Sequence, residues 1–118
     1  VGGAYLLPRM IGLHKAKELV LFGDDTPALE AERIGLVNRV VAPDKLIDTA
    51  REWAERLAAG PTSALTQARR LRNRSLESDR GTAFVEESTA QEVIMSSRDA
   101  NEGVLAYVER RTPDFLGW

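Results

Sequence analysis

The chain has no cysteine and a single histidine, His14, in 118 residues. The first absence excludes disulfides, thiolate metal sites and cysteine nucleophiles together, and it suits a cytoplasmic protein. The second makes a Ser-His-Asp relay or a multi-histidine metal centre hard to build, and no metal ligands are assigned. Long apolar runs are missing too. "ELVLFG" and "IGLVNRVV" fall far short of the roughly 18 residues a spanning helix needs, and no membrane partner is expected. Nor is positive charge in excess. With 16 basic and 18 acidic residues the net charge is −2, which argues against a surface built on phosphate-backbone contacts and so against a nucleic-acid partner.

What remains is an ordinary globular composition, 43% hydrophobic and 29% charged, long enough for one domain. Its glycines and prolines cut the sequence into short helical units. "AYLLPRMIG" allows about two turns, with Pro8 poorly suited to a helix interior and Gly12 as a stop. "LHKAKELVLFG" spaces Leu13, Ala16, Leu19 and Val20 for a helix that Gly23 can cap in a left-handed conformation. In "TPALEAERIG" Thr26 is the expected N-cap, Pro27 the first helical residue and Gly35 the end. Residues 36–41, "LVNRVV", read as a short strand from their β-branched valines, a strand that needs a partner from elsewhere.

The clearest periodicity follows. Between Pro43 and Gly60, Leu46, Ala50, Trp53 and Leu57 recur at helical spacing. A second amphipathic helix runs from Thr62, with Leu65, Ala68, Leu71 and Leu76 on its apolar side. A third starts near Gly81 and Thr82. Asp99 and Glu102 resemble a capping box that opens a last helix carrying Val104, Leu105, Tyr107 and Val108. Thr112-Pro113 ends that helix, and the aromatic residues of "DFLGW" should dock nearby.

Candidate chemistry is sparse. Gly2-Gly3 ahead of an apolar helix is either a plain turn or a place where a ligand approaches free helix N–H groups. The arginines of "RRLRNR" are phosphate-binding forks or the solvated side of a helix, and the acidic total charge favours the second. Glu86 and Glu87, being adjacent on a helix, point in different directions and cannot converge on one atom. His14 has no second ligand at helical spacing. Tyr107 and Arg110, three apart on the last helix, share a face that could stack on an aromatic ligand and contact its phosphate, or could simply bound an amphipathic stripe. No residue is assigned as catalytic.

Taken together, "GGAYLLPRMIGLHKAKELVLFGDD", "EAERIGLVNRVV" and "DANEGVLAYVERRTPDFLGW" resemble the C-terminal part of the enoyl-CoA hydratase/isomerase, or crotonase-like, superfamily. The resemblance implies a mostly α chain: the C-terminal helical portion of an α/β fold built as a spiral of ββα units. Residues 1–42 would close the crotonase-like core, and residues 43–118 would form a helical trimerisation region. It further implies an acyl-CoA thioester as substrate, no cofactor beyond the CoA it carries, and a homotrimer or dimer of trimers. Two backbone N–H groups would stabilise the thioester enolate, and in the hydratases two glutamates activate water. Those segments are expected to precede Val1, in an N-terminal half. Gly2 and Gly3 match the glycines of the active-site turn, and Tyr107 and Arg110 the aromatic and basic positions of the last helix, so these four are the substrate-lining candidates. Hydratases often carry Thr-Gln-Arg where this chain has Ala4-Tyr5-Leu6, which leaves hydration, isomerisation and other acyl-CoA reactions open. The alternative is a non-catalytic helical oligomerisation or acyl-CoA-binding module.

Overall fold

The computed structural model describes residues 2–118, about 70% of them helical. The chain divides into two compact units, the first ending at Ile47 and the second spanning Asp48–Trp118. The first unit holds α1 (Gly3–Ile11), α2 (Leu13–Phe22) and α3 (Ala28–Arg33), followed by a 3-10 turn at Pro43–Lys45. Helix α4 (Leu46–Ala58) straddles the division, and α5 (Thr62–Arg74), α6 (Arg80–Met95) and α7 (Arg98–Glu109) complete the second unit.

In the first unit α1 packs on α2. Helix α1 runs through Pro8 to Ile11. The bond that proline cannot donate would have gone to the carbonyl of Ala4, an exposed residue whose carbonyl water can serve. Gly23 closes α2 with φ 70° and donates its N–H to Leu19 O at 3.1 Å, the left-handed cap its position predicts. Helix α3 starts differently from expectation. Pro27 is the N-cap and its carbonyl accepts from Ala31 N, so Thr26 does not cap.

The strand expected at 36–41 is not formed, and no strand occurs among the described residues. Its donors turn back onto α3. Leu36 N and Val37 N both bond to Ala31 O, at 2.8 and 3.3 Å, and Val40 N donates to Glu32 Oε1 at 2.9 Å. With those amides committed to a helix end and no neighbouring strand, β-branched side chains alone do not make a ladder.

In the second unit α6 packs against both α5 and α7. Asp79 caps α6 by accepting from Thr82 N at 3.0 Å and from the Thr82 hydroxyl at 2.6 Å. The hydroxyl bond, first of several, holds the Asp79 carboxyl below its usual range. Ser97, not Asp99, caps α7, its Oγ accepting from Ala100 N at 3.1 Å. Helix α4, the most regular in sequence, packs against no other helix among the described residues. Its Leu46, Ile47 and Leu57 are exposed, and Trp53 stays 40% exposed.

The buried apolar residues are all alanines: Ala16, Ala31, Ala90 and Ala106. No large side chain is fully enclosed among the described residues. The surface measures 9518 Å² for 13.0 kDa, where even two separate compact globules of half that mass would expose about 7,700 Å² in total. The helices thus leave more surface open than compact units of this mass, and many large apolar side chains are exposed on it.

Candidate functional site

The sequence-derived candidates fall into two pairs, one on each compact unit. Gly2 is the N-cap of α1 and adopts φ 97°, a left-handed conformation that an L side chain rarely takes. Its carbonyl accepts from Tyr5 N and Leu6 N, at 3.1 and 2.9 Å. The amides of Gly3 and Ala4 therefore precede the first intrahelical bond, and such N–H groups favour a carbonyl oxygen or a negative charge. At Gly3 a side chain would meet nothing within 4 Å, so of this pair only Gly2 is demanded by its backbone. Further along α1, the Arg9 guanidinium lies 3.6 Å from the centroid of the Tyr5 ring and donates to Tyr5 O at 2.9 Å.

Tyr107 and Arg110 meet different fates. Tyr107 is 86% exposed and lines a groove of about 400 Å³ walled by α5, α6, α7 and the C-terminal segment. The groove is mostly apolar, with Ala64, Ile94, Met95, Val104 and Phe115 among its walls. Arg110 does not line it. Helix α7 ends at Glu109, and Arg110 takes φ 57°, the only positive φ outside glycine among the described residues. Paired bonds close the helix there, Arg110 N to Tyr107 O at 3.3 Å and Arg111 N to Ala106 O at 3.0 Å. The expected shared face of Tyr107 and Arg110 is interrupted, because a left-handed residue leaves the helical register. Arginine in that conformation costs about 1–2 kcal/mol, set against the two bonds that close the helix there.

The far wall of the groove is held by contacts that no local pattern announces. Asp99, 3% exposed, accepts from Leu116 N and Gly117 N, each at 2.8 Å, while its own N–H donates to Trp118 O at 3.2 Å. One turn on, Glu102 accepts from Asp114 N at 2.8 Å and from Arg111 Nη2 at 2.9 Å. The Arg111 hydrogen bond, aided by that backbone N–H, holds the Glu102 carboxyl down to about 2. The Phe115 ring then lies over Gly103, where an added Cβ would sit 3.6 Å from it. Asp99 and Glu102 at a helix start were visible as a capping pattern; their actual partners, seventeen and twelve residues onward, carry no local signal.

Other singled-out groups remain at the surface. Arg74 pairs with Glu86, while Arg69 and Arg70 line a shallow polar groove along α5 with Thr66 and Asn73. Among the described residues no group of three His, Cys, Asp or Glu could hold a metal ion, and no helix is long and apolar enough to cross a membrane.

Comparison with known proteins is consistent across sequence and fold. The family model for enoyl-CoA hydratase/isomerase matches residues 1–117. The chain is 36% identical to the short-chain-enoyl-CoA hydratase of Clostridium acetobutylicum over 110 residues, covering 93% of this chain and 42% of that one. Crystal structures of enoyl-CoA hydratases from Bacillus anthracis and Mycobacterium tuberculosis superimpose with TM-scores of 0.93 and 0.92, at 36% and 35% identity. Each match covers 99% of this chain, and 45% and 46% of the respective structure. The chain spans about 45% of the length of the curated relatives it matches. The helices described above are the C-terminal helical portion of a crotonase fold, and the chain belongs to the enoyl-CoA hydratase/isomerase family.

Proposed function

We propose that the chain is the C-terminal part of an acyl-CoA-processing enzyme of this family, working with an N-terminal ββα core of the kind its relatives carry. The observation that carries this reading is the family match over residues 1–117. The core would supply the oxyanion-hole N–H groups that stabilise the thioester enolate, a contribution of a few kcal/mol for each donor. It would also supply any catalytic acid or base, since no residue of this chain is assigned that role. The start of α1 at Gly3 and Ala4 then borders the acyl thioester. Tyr107 offers an aromatic face to the CoA portion and Arg110 a cation for its phosphates.

The bare apolar faces fit the same reading. Helix α4 with its exposed Leu46, Trp53 and Leu57, and α7 with exposed Val104, Leu105 and Val108, present more contiguous apolar surface than a lone soluble chain usually keeps. In a homotrimer or dimer of trimers these faces would be covered by the core and by other copies. A cytoplasmic location and a substrate that brings its own CoA complete the proposal.

The test is hydration of crotonyl-CoA, followed by loss of the conjugated thioester absorbance. The chain alone is expected to give no turnover, and the chain joined to the N-terminal core of a family relative is expected to give it. Turnover by the chain alone contradicts the assignment of the reacting groups to the core. CoA binding without turnover in both forms favours a non-catalytic module instead.

A further inference from the structure

We infer that the C-terminal segment is a latched strap, with the buried Asp99 carboxylate as its latch and Phe115 as the groove wall that the latch holds in place. The segment from Thr112 to Trp118 has no secondary structure of its own to fix it. Its backbone is instead pinned from α7 at separate points. Asp99 takes two consecutive amides, Leu116 N and Gly117 N, and its own N–H reaches Trp118 O. Glu102 takes Asp114 N and ties the start of the strap to Arg111, which also pairs with Glu109. Between those two anchor points sits Phe115, its ring over Gly103 and its edge in the groove beside Tyr107.

The two anchors are unequal. Glu102 is a partly exposed carboxylate in an ion pair, and water can replace much of what it provides. Asp99 is 3% exposed, and the amides it accepts have no other acceptor within the described residues. A carboxylate can accept from two adjacent N–H groups at once, whereas a carboxamide has one oxygen and presents N–H to the other amide. Losing the latch therefore frees the strap beyond Asp114, and Phe115 leaves the wall with it. Asp99 is thus a positioning residue for the groove. This holds whether or not the groove meets acyl-CoA.

Asp99→Asn tests the latch with little change of shape. Backbone exchange in residues 115–118 should quicken by at least about tenfold, while α5 and α6 keep their protection and the helical circular dichroism is unchanged. The nuclear Overhauser contact between the Phe115 ring and the Gly103 α-protons should disappear. Phe115→Ala, which touches no polar partner, should leave exchange at Leu116 and Gly117 near the parent rate. Should Asp99→Asn lose its helical signal, Phe115→Ala still decides: fast exchange at Leu116 and Gly117 there would mean that the ring, not the carboxylate, holds the strap. Unchanged exchange in Asp99→Asn, or a retained Phe115–Gly103 contact, would overturn the latch.

Discussion

Helix α7 and helix α4 are of similar length, at 12 and 13 residues, and both carry a clear apolar stripe, yet they are held in opposite ways. Helix α7 is capped by Ser97, closed by paired bonds at Arg110, packed on α6, and roofed by a strap bound to its own Asp99 and Glu102. Helix α4 has its own backbone bonds, flanking turns and one surface ion pair between Arg51 and Asp48, with its stripe open. Amphipathicity thus records a demand for burial without saying who meets it. Helix α7 meets part of that demand inside the chain, whereas α4 finds no cover among the described residues.

The sharpest way to break the comparison is at the latch. Asp99→Ala removes the acceptor of two buried amides and should destabilise the second unit by about 3 kcal/mol, read by denaturant unfolding. A loss below 1 kcal/mol would show that water replaces the carboxylate. On α4 the expectation reverses. Trp53→Ser and Leu57→Ser should change the unfolding free energy of the chain alone by no more than about 0.5 kcal/mol. They should weaken its association with an N-terminal core by about 2 kcal/mol each, measured by titration calorimetry.

Arg110→Gly separates strain from function. Relief of the left-handed arginine should raise stability by about 1 kcal/mol and lower CoA affinity in the joined protein. Unchanged affinity would remove Arg110 from the binding candidates. Gly103→Ala should stabilise α7 by somewhat less than 1 kcal/mol, because the added methyl meets Phe115 at an ordinary contact distance of 3.6 Å.

The smallest effect is one of pH. The Glu102 carboxyl is lowered from 4.5 to about 2 by Arg111 and Asp114 N, with Arg98 also nearby. A carboxyl lowered in the folded state contributes its full stability above its unfolded value and loses it on acidification. Strap protection should therefore be flat above pH 4.5 and fall between there and pH 2. Acid loss beginning well above 4.5 would place its cause in another group.

Much of this was legible in the sequence because it is local. Gly23 as a left-handed cap, the stop at Gly12, and the apolar periods of α4 and α5 depend only on residues within a turn or two. The failures share one physical origin. At residues 36–41 the valines signalled a strand, but the fate of their amides was decided by Ala31 O and Glu32, which lie back in α3. At Asp99 the spacing to Glu102 suggested a cap, whereas the partners lie at Leu116 and Gly117. Of the candidate site residues, Gly2 was readable from its position before a helix, and Tyr107 from its place on the final stripe. The conformation of Arg110 was not readable, since nothing in "VERRTP" says which arginine will close the helix.

The comparison between the two helices is tested most directly by hydrogen exchange across the whole chain, alone and joined to an N-terminal core. In the chain alone, α4 amides should exchange at least about 100-fold faster than those of α7, because a helix of this length without tertiary packing is marginal in water. On joining, α4 should gain that protection while the interior of α7 changes little. Equal protection of α4 and α7 in the chain alone would contradict the claim that α4 is built to be covered from outside.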